Sequence, residues 1–261
     1  MSDLLRLLPP VRRIRGNRLY AANGTRYLDM WLDDGRGILG EAGNRARTYA
    51  CNALDKGLAR PYPGLYDARL AKALKAAWPG FKAVRLFENE ERALAAAWRI
   101  LGDHALPADS VRRPGTDAGI ESVTSSVFVL ARPFAAVPPD CKLALARLPV
   151  EAQLGPACLL AREEAFFGAA ESGDIVPQAL VYAATRALDS LASLSADSYG
   201  EELWKRFDRR MERFFERVGP YLFPRGEQGS HEGFFKAALA GGALVSRSEE
   251  RRVGKECRSR W

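Results

Sequence analysis

The sequence predicts an α/β protein, and three features support that prediction. Short apolar runs of the kind found in strands alternate with longer segments whose apolar residues recur at helical spacing. A strand pattern at 84–87 leads directly into an alanine-rich helical pattern at 91–101, and four successive apolar residues at 127–130 are typical of a strand covered on both faces. Hydrophobic residues make up 47% of the 261 residues, which is enough to bury a substantial core.

The N-terminal region is predicted to form a β-hairpin. Its strands are expected at 18–20 and 26–30, and Asn23-Gly24 in the connection supplies the positive φ that a tight turn requires. Helical patterns follow, and the second one stops at Pro79-Gly80. The other predicted elements are helices at 44–58 and 67–78, a strand at 157–160, and helices at 177–194, 201–218 and 232–240.

The helical pattern at 201–218 contains many charges. Arginine and lysine alternate there with aspartate and glutamate at helical spacing, which is typical of a solvated face with salt bridges. Because acidic residues balance the basic ones, no nucleic-acid partner is predicted. The apolar residues of this pattern are predicted to pack into the core, and they are Phe207, Met211, Phe214, Phe215 and Val218.

Residues 247–261 resemble the translation of a sequencing-library adapter fused in frame, so they are excluded from the fold prediction. The chain has a formal net charge of +7, and this segment contains six Lys and Arg against three Glu, which leaves +4 for the rest. The basic balance of the chain therefore gives little reason to expect binding to nucleic acids.

Composition also limits the compartment and the chemistry of any site. No run of about eighteen apolar residues occurs and leucine mixes with arginine at the N-terminus, so a cytoplasmic protein without a membrane partner is predicted. Cys51, Cys141 and Cys158 are widely spaced, which predicts small core residues and neither a disulfide framework nor a zinc site. The two histidines, His104 and His231, are far apart in sequence, so no metal site is expected.

Three successive N-terminal motifs resemble the signature of class III aminotransferases. They are Arg15-Gly16-Asn17-Arg18-Leu19-Tyr20, Asn23-Gly24-Thr25-Arg26-Tyr27-Leu28-Asp29 and Gly35-Arg36-Gly37-Ile38-Leu39-Gly40. Glu41 stands where the family has a histidine. The resemblance implies fold type I of the pyridoxal 5'-phosphate (PLP) dependent transferases, with a small α+β domain built from both chain ends. Further segments similar to the family are 84–101, 139–141, 156–162, 177–191 and 234–239.

The resemblance also implies a reduced and truncated version of that fold. In the family, several strands and helices lie between the helix that follows the phosphate loop and the strand that corresponds to 127–130. This chain has only residues 102–126 at that place. A homodimer, or a heterodimer with an intact relative, is implied as well, with the hairpin region at the interface. The implied segments are an N-terminal segment at 1–80, a reduced α/β large domain at 81–176, a truncated helical and small-domain segment at 177–246, and the adapter-like 247–261.

The family binds PLP through a phosphate loop, an aspartate on the pyridine nitrogen and a Schiff-base lysine. A small-residue motif with a threonine, which reaches the phosphate of the neighbouring subunit, corresponds here to Ser172-Gly173-Asp174. The other three positions fall on Asn89, Glu90 and Glu91 for the phosphate loop, Ala131 for the aspartate, and Ala146 or Arg147 for the lysine.

None of these positions has the chemistry of the family. Glu90 and Glu91 would repel a phosphate with about two negative charges, and they suit the first turn of a helix better. Alanine at position 131 cannot accept a hydrogen bond from the pyridinium, and arginine does not form an imine. Cofactor binding is therefore expected to be lost at these positions.

Three hypotheses about function remain open at this point. The leading one is a class III aminotransferase homologue that has lost PLP catalysis and acts as a non-catalytic binding or assembly subunit. The alternative is an active aminotransferase or aminomutase that takes an amino group from a small-molecule donor to a keto acid or aldehyde, with Lys142 or a partner's lysine as the imine lysine. The third is a damaged or misassembled gene.

Overall fold

The computed structural model describes residues 4–40, 45–101, 128–168, 172–194, 199–206, 208–224 and 231–246. The chain divides into two compact units. One consists of Met1–Gly43 with Ser195–Trp261, and the other of Asn44–Leu194. Among the described residues, none of the helices combines the length and the apolar character that a membrane span requires.

Helices and strands are labelled separately in chain order. The strands are β1 (Val11–Arg15), β2 (Arg18–Ala21), β3 (Arg26–Asp29), β4 (Ala83–Phe87), β5 (Phe128–Ala131), β6 (Leu143–Ala146), β7 (Ala157–Ala161), β8 (Phe215–Val218), β9 (Tyr221–Pro224) and β10 (Ala243–Leu244). The helices are α1 (Ala46–Asp55), α2 (Tyr66–Ala77), α3 (Glu90–Leu101), α4 (Gln178–Ala192), α5 (Glu201–Lys205), α6 (Asp208–Met211) and α7 (His231–Ala240).

The Asn44–Leu194 unit is built around a four-stranded sheet with the order β4-β7-β6-β5. β5 and β6 run parallel, and β7 runs antiparallel to both β6 and β4. β4, β5 and β6 therefore share one direction, and their carboxyl ends lie at the same edge of the sheet. We call this edge, with the residues that directly follow the three strands, the carboxyl edge.

Helices cover both faces of this sheet. On one face Leu143, Leu145 and Leu159 pack with the alanines of α3, and on the other Ala144 and Leu160 pack with α1, α2 and α4. Burial on both faces explains why the strands are continuous apolar runs without a polar alternation. The α/β fold class predicted from the sequence is confirmed.

The other unit contains a sheet with the order β1-β2-β3-β10. β10 pairs in parallel with β3, so this sheet joins the two ends of the chain. Leu19 and Tyr27 point to one side and pack with Phe235 of α7. The predicted hairpin is confirmed: Gly24 has φ +87°, and the side chain of Asn23 accepts the Thr25 N–H at 3.1 Å.

The prediction of one long helix at 201–218 is wrong. The segment contains two short helices, α5 and α6, and ends in β8, which pairs antiparallel with β9. Gly219 has φ +57° and allows the tight turn between these strands. Arg217 of β8 reaches back to Asp208 and Glu201 and forms ion pairs with both.

The predicted buried stripe of this segment is also wrong. Phe214 and Val218 are 48% and 38% exposed, and Met211 and Phe215 are only partly buried. Phe207 lies outside the described residues. The stripe required a continuous helix, and the change to a strand at Phe215 turns its members to different sides.

Candidate functional site

The carboxyl edge brings together the three positions that the family resemblance assigns to the cofactor. Ala131 ends β5 and lies directly opposite Ala146, which ends β6. Arg147 follows and donates its backbone N–H to the Ala131 carbonyl at 2.8 Å. α3 begins at Glu90, shortly after β4. In open α/β sheets, ligands bind outside the carboxyl ends of the strands, so a ligand site is expected at the carboxyl edge.

An ion pair between Glu90 and Arg147 spans this edge. The Nη1 group of Arg147 donates to the Oε1 atom of Glu90. The Arg147 side chain is 7% exposed and the Glu90 side chain 30%. A guanidinium buried to this degree requires a charged partner, because an uncompensated buried charge is costly. The phosphate-loop position and one lysine position are therefore paired with each other.

The N-terminus of α3 is capped by its own residues. The Oδ1 atom of Asn89 accepts the Arg92 N–H at 3.0 Å, which is the usual bond of an N-cap asparagine. Glu90 and Glu91 occupy the first turn, where the helix dipole favours negative charge. These features belong to a stable helix start and leave the local charge negative.

Asp174 lies against the same helix start. Its carboxylate accepts the Glu88 N–H at 3.1 Å and the Arg92 Nε–H at 2.6 Å, and its own N–H donates to the Leu86 carbonyl at 2.7 Å. The Arg92 guanidinium, helped by the Glu88 N–H, lowers the pKa of Asp174 below its ordinary value. Gly173 has φ +78°, and a Cβ there would lie 2.7 Å from the Leu86 oxygen, so glycine permits this close approach.

Lys142, the alternative imine lysine, lies away from the carboxyl edge. It directly precedes β6, so the whole strand separates it from Arg147, and its Cα is about 13 Å from that of Ala146 along the strand. Its side chain is exposed, with Nζ 5.8 Å from the ring centroid of Phe166. The structure brings Ala131, Ala146 and Arg147 together and does not bring Lys142 to them.

The cysteines do not add a reactive group to this edge. Cys141 and Cys158 are buried, as predicted, and burial raises the pKa of the Cys141 thiol to about 11 and that of Cys158 as well. The prediction for Cys51 is wrong, because it is exposed on α1. All three are free thiols. Within the described ranges, no group of three or more His, Cys, Asp or Glu side chains could hold a metal ion.

Comparisons with protein sequences give two relatives, and no family model matches the chain. An uncharacterized protein of Treponema pallidum (strain Nichols) is 29% identical over an alignment of 274 positions, and the match covers 94% of this chain and 88% of that protein. An uncharacterized protein of Borreliella burgdorferi is 29% identical over 86 residues, which cover 33% of this chain and 32% of that protein.

Solved structures with a similar fold are PLP-dependent aminotransferases. An ornithine aminotransferase of Plasmodium yoelii has a TM-score of 0.61 at 13% identity, covering 90% of this chain and 84% of its own. An omega-transaminase of Sphaerobacter thermophilus has a TM-score of 0.62 at 13% identity, covering 92% and 84%. A β-phenylalanine aminotransferase of Variovorax paradoxus has a TM-score of 0.59 at 14% identity, covering 99% and 89%. This chain has the PLP aminotransferase fold.

The residues at the carboxyl edge do not fit PLP. A carboxylate, Glu90, stands at the start of the helix where a phosphate would need donors, and it is paired with Arg147. Ala131, at the position that the resemblance assigns to the pyridine-binding aspartate, is buried, and its methyl group cannot accept a hydrogen bond from a pyridinium. Arg147 cannot take the role of the imine lysine because its guanidinium stays protonated. The fold and the chemistry of its edge therefore disagree.

Proposed function

We propose that this chain is a class III aminotransferase homologue that has lost PLP catalysis and acts as a non-catalytic binding or assembly subunit. The observation that supports this most strongly is the Glu90–Arg147 ion pair across the carboxyl edge. The pair replaces two groups that bind the coenzyme in the family with two groups that bind each other.

The energetics of the pair argue against reuse of the edge for PLP. A phosphate next to Glu90 would meet like charge, and a phosphate bound by Arg147 would require Glu90 to lose its buried partner. The neighbouring donors are also engaged, since the Glu88 N–H and the Arg92 guanidinium bind Asp174. Coenzyme binding would have to break these contacts before any new one forms.

The match to the Treponema relative argues against the hypothesis of a damaged or misassembled gene. The match covers 94% of this chain and 88% of that protein. A damaged or misassembled gene is not expected to match a second protein over nearly its whole length.

Incubation with PLP followed by borohydride reduction tests the loss of catalysis. Reduction fixes any lysine–coenzyme imine as a stable adduct, which mass spectrometry of the intact chain and of its peptides detects. We expect no adduct beyond the level of a denatured control. The alternative, an active enzyme that uses Lys142, predicts a single adduct on Lys142 that is lost in Lys142→Ala, together with amino transfer from a small-molecule donor.

The proposed role requires a partner, which is a second copy of this chain or an intact relative in the cytoplasm. Sedimentation velocity of the purified chain, alone and mixed with an intact class III aminotransferase from the same cell, measures both. A dimer or a mixed species is expected. A chain that stays monomeric at all concentrations and in every mixture would contradict the assembly role.

A further inference from the structure

The register of β1, β2 and β3 places six side chains on the outward face of their sheet. Residues directly opposite in an antiparallel pair point to the same side, as do alternate residues of one strand. Leu19 and Tyr27 point to the other side, into the core. The outward side chains form two rows, Arg13, Tyr20 and Arg26 in the first and Arg15, Arg18 and Leu28 in the second. We call this surface the arginine face.

The positive charge of the arginine face is not balanced by any carboxylate of the described residues. Its four arginines are all exposed, and none of them forms an ion pair with a carboxylate in the described part of the chain. Arg15 lies directly opposite Arg18, and like charges in that position destabilise a sheet. The six positions include no aspartate or glutamate. A bound anion would remove this repulsion.

We propose that the arginine face, which the proposed dimer would have to leave uncovered, binds a single-stranded nucleic acid. Guanidinium groups bind phosphate oxygens through two parallel hydrogen bonds. A single exposed contact between opposite charges contributes little, so useful affinity on a flat, open surface requires an anion with several phosphates in series. Neighbouring strands are about 5 Å apart and the two rows about 7 Å apart along the strands, which lets one extended polymer reach several arginines.

Tyr20 favours a nucleic acid over other polyanions. It lies between Arg13 and Arg26 in the first row, and the Arg13 guanidinium stands 4.4 Å from its ring centroid. Aromatic and guanidinium groups on a sheet surface provide the stacking platforms that single-strand binders use. Leu28 is the single aliphatic side chain among the six, which is too little apolar surface to insert into a membrane.

Titration of a fluorescent oligothymidylate at several salt concentrations tests this proposal. For single strands, each phosphate contact contributes about −0.7 to the slope of the logarithm of the binding constant against the logarithm of the salt concentration. Four contacts therefore predict a slope of about −2.8. Arg15→Gln with Arg18→Gln should reduce the slope by about 1.4. Tyr20→Leu should weaken binding by roughly fivefold or more, because it removes a stacking contact.

A matched control uses two exposed arginines of α6, which belongs to the same unit of the chain. Arg209→Gln with Arg210→Gln changes the net charge equally and should leave the slope and the affinity unchanged. Thermal unfolding verifies that every variant is folded. Equal weakening by the control variant, equal binding of a duplex, or binding of anionic vesicles or polyglutamate in place of the oligonucleotide would overturn the proposal. So would the absence of binding at low salt.

Discussion

The carboxyl edge and the arginine face differ in whether their arginines are paired with carboxylates. At the carboxyl edge, Arg147 and Arg92 are each paired with a carboxylate, Glu90 and Asp174 respectively. On the arginine face, the four arginines have no carboxylate partner among the described residues, and two of them lie directly opposite each other. The two arginines of the first region are paired without a ligand, and the four of the second have no carboxylate partner among the described residues.

This contrast separates fold from function. The similarity to PLP aminotransferases predicts a ligand site at the carboxyl edge, but Arg147 and Arg92 there already form ion pairs with Glu90 and Asp174. The uncompensated charge lies on the other unit, on a sheet that makes no part of that edge. Charged side chains that lack a partner indicate a ligand site more directly than the similarity of the fold to other proteins does.

The largest expected effect comes from breaking the buried pair. Glu90→Ala removes the carboxylate that forms an ion pair with Arg147, whose side chain is 7% exposed. We expect a loss of about 3 kcal/mol in the free energy of unfolding, the lower end of the range for such pairs because Glu90 is partly exposed. Urea unfolding at neutral pH measures it.

The neighbouring Glu91→Ala is the matched control for that measurement. Glu91 is in the same helical turn but is exposed, so its loss should change stability by only a few tenths of a kcal/mol. If the two substitutions lowered the free energy of unfolding equally, the Glu90–Arg147 pair would contribute no more to stability than an exposed surface charge. The contrast between the carboxyl edge and an exposed surface would then fail.

A smaller effect is expected at Asp174, and it depends on pH. Its pKa is lowered from the ordinary 3.8 by Arg92, so the carboxylate stabilises the fold above that value and the contribution disappears as the pH falls through the lowered pKa. Asp174→Asn should therefore cost about 1 kcal/mol at neutral pH and almost nothing in strong acid. Unfolding curves of both proteins across this range provide the comparison. A difference that does not change with pH would exclude the ion pair as its source.

The smallest effect has the opposite sign. Arg15→Glu converts the like-charge pair with Arg18 into an opposite-charge pair, which should raise the free energy of unfolding by about 0.5 kcal/mol at low salt. High salt should abolish the gain. The same variant should lose affinity for the oligothymidylate. A loss of stability would mean that Arg15 already has a favourable environment, and the contrast between the two regions would fail.

Local patterns in the sequence were sufficient for much of the fold. Asn23-Gly24 specifies the hairpin, and the change from strand to helical spacing after β4 specifies the α/β unit. β6 was not predicted, because Leu143–Ala146 is a four-residue apolar run whose type depends on the neighbouring strands. The charges at 201–218 follow helical spacing and therefore predict a helix, whereas the turn at Gly219-Pro220 joins two strands into a hairpin.

The candidate sites were accessible from sequence only in part. The resemblance supplied positions 90, 131 and 147, but the pairing of Glu90 with Arg147 joins residues 57 positions apart and requires the tertiary structure. The contact of Asp174 with Arg92 spans 82 positions for the same reason. The arginine face depends on strand register, which the sequence alone does not specify. The prediction of no nucleic-acid partner therefore does not take these four arginines into account as one surface.

A crystal structure of the protein soaked with PLP tests the central claim most directly. We expect the Glu90–Arg147 ion pair to be intact and the carboxyl edge to contain no coenzyme. Electron density for PLP bonded to the amine of any residue of this chain would contradict the proposal that this protein has lost PLP catalysis.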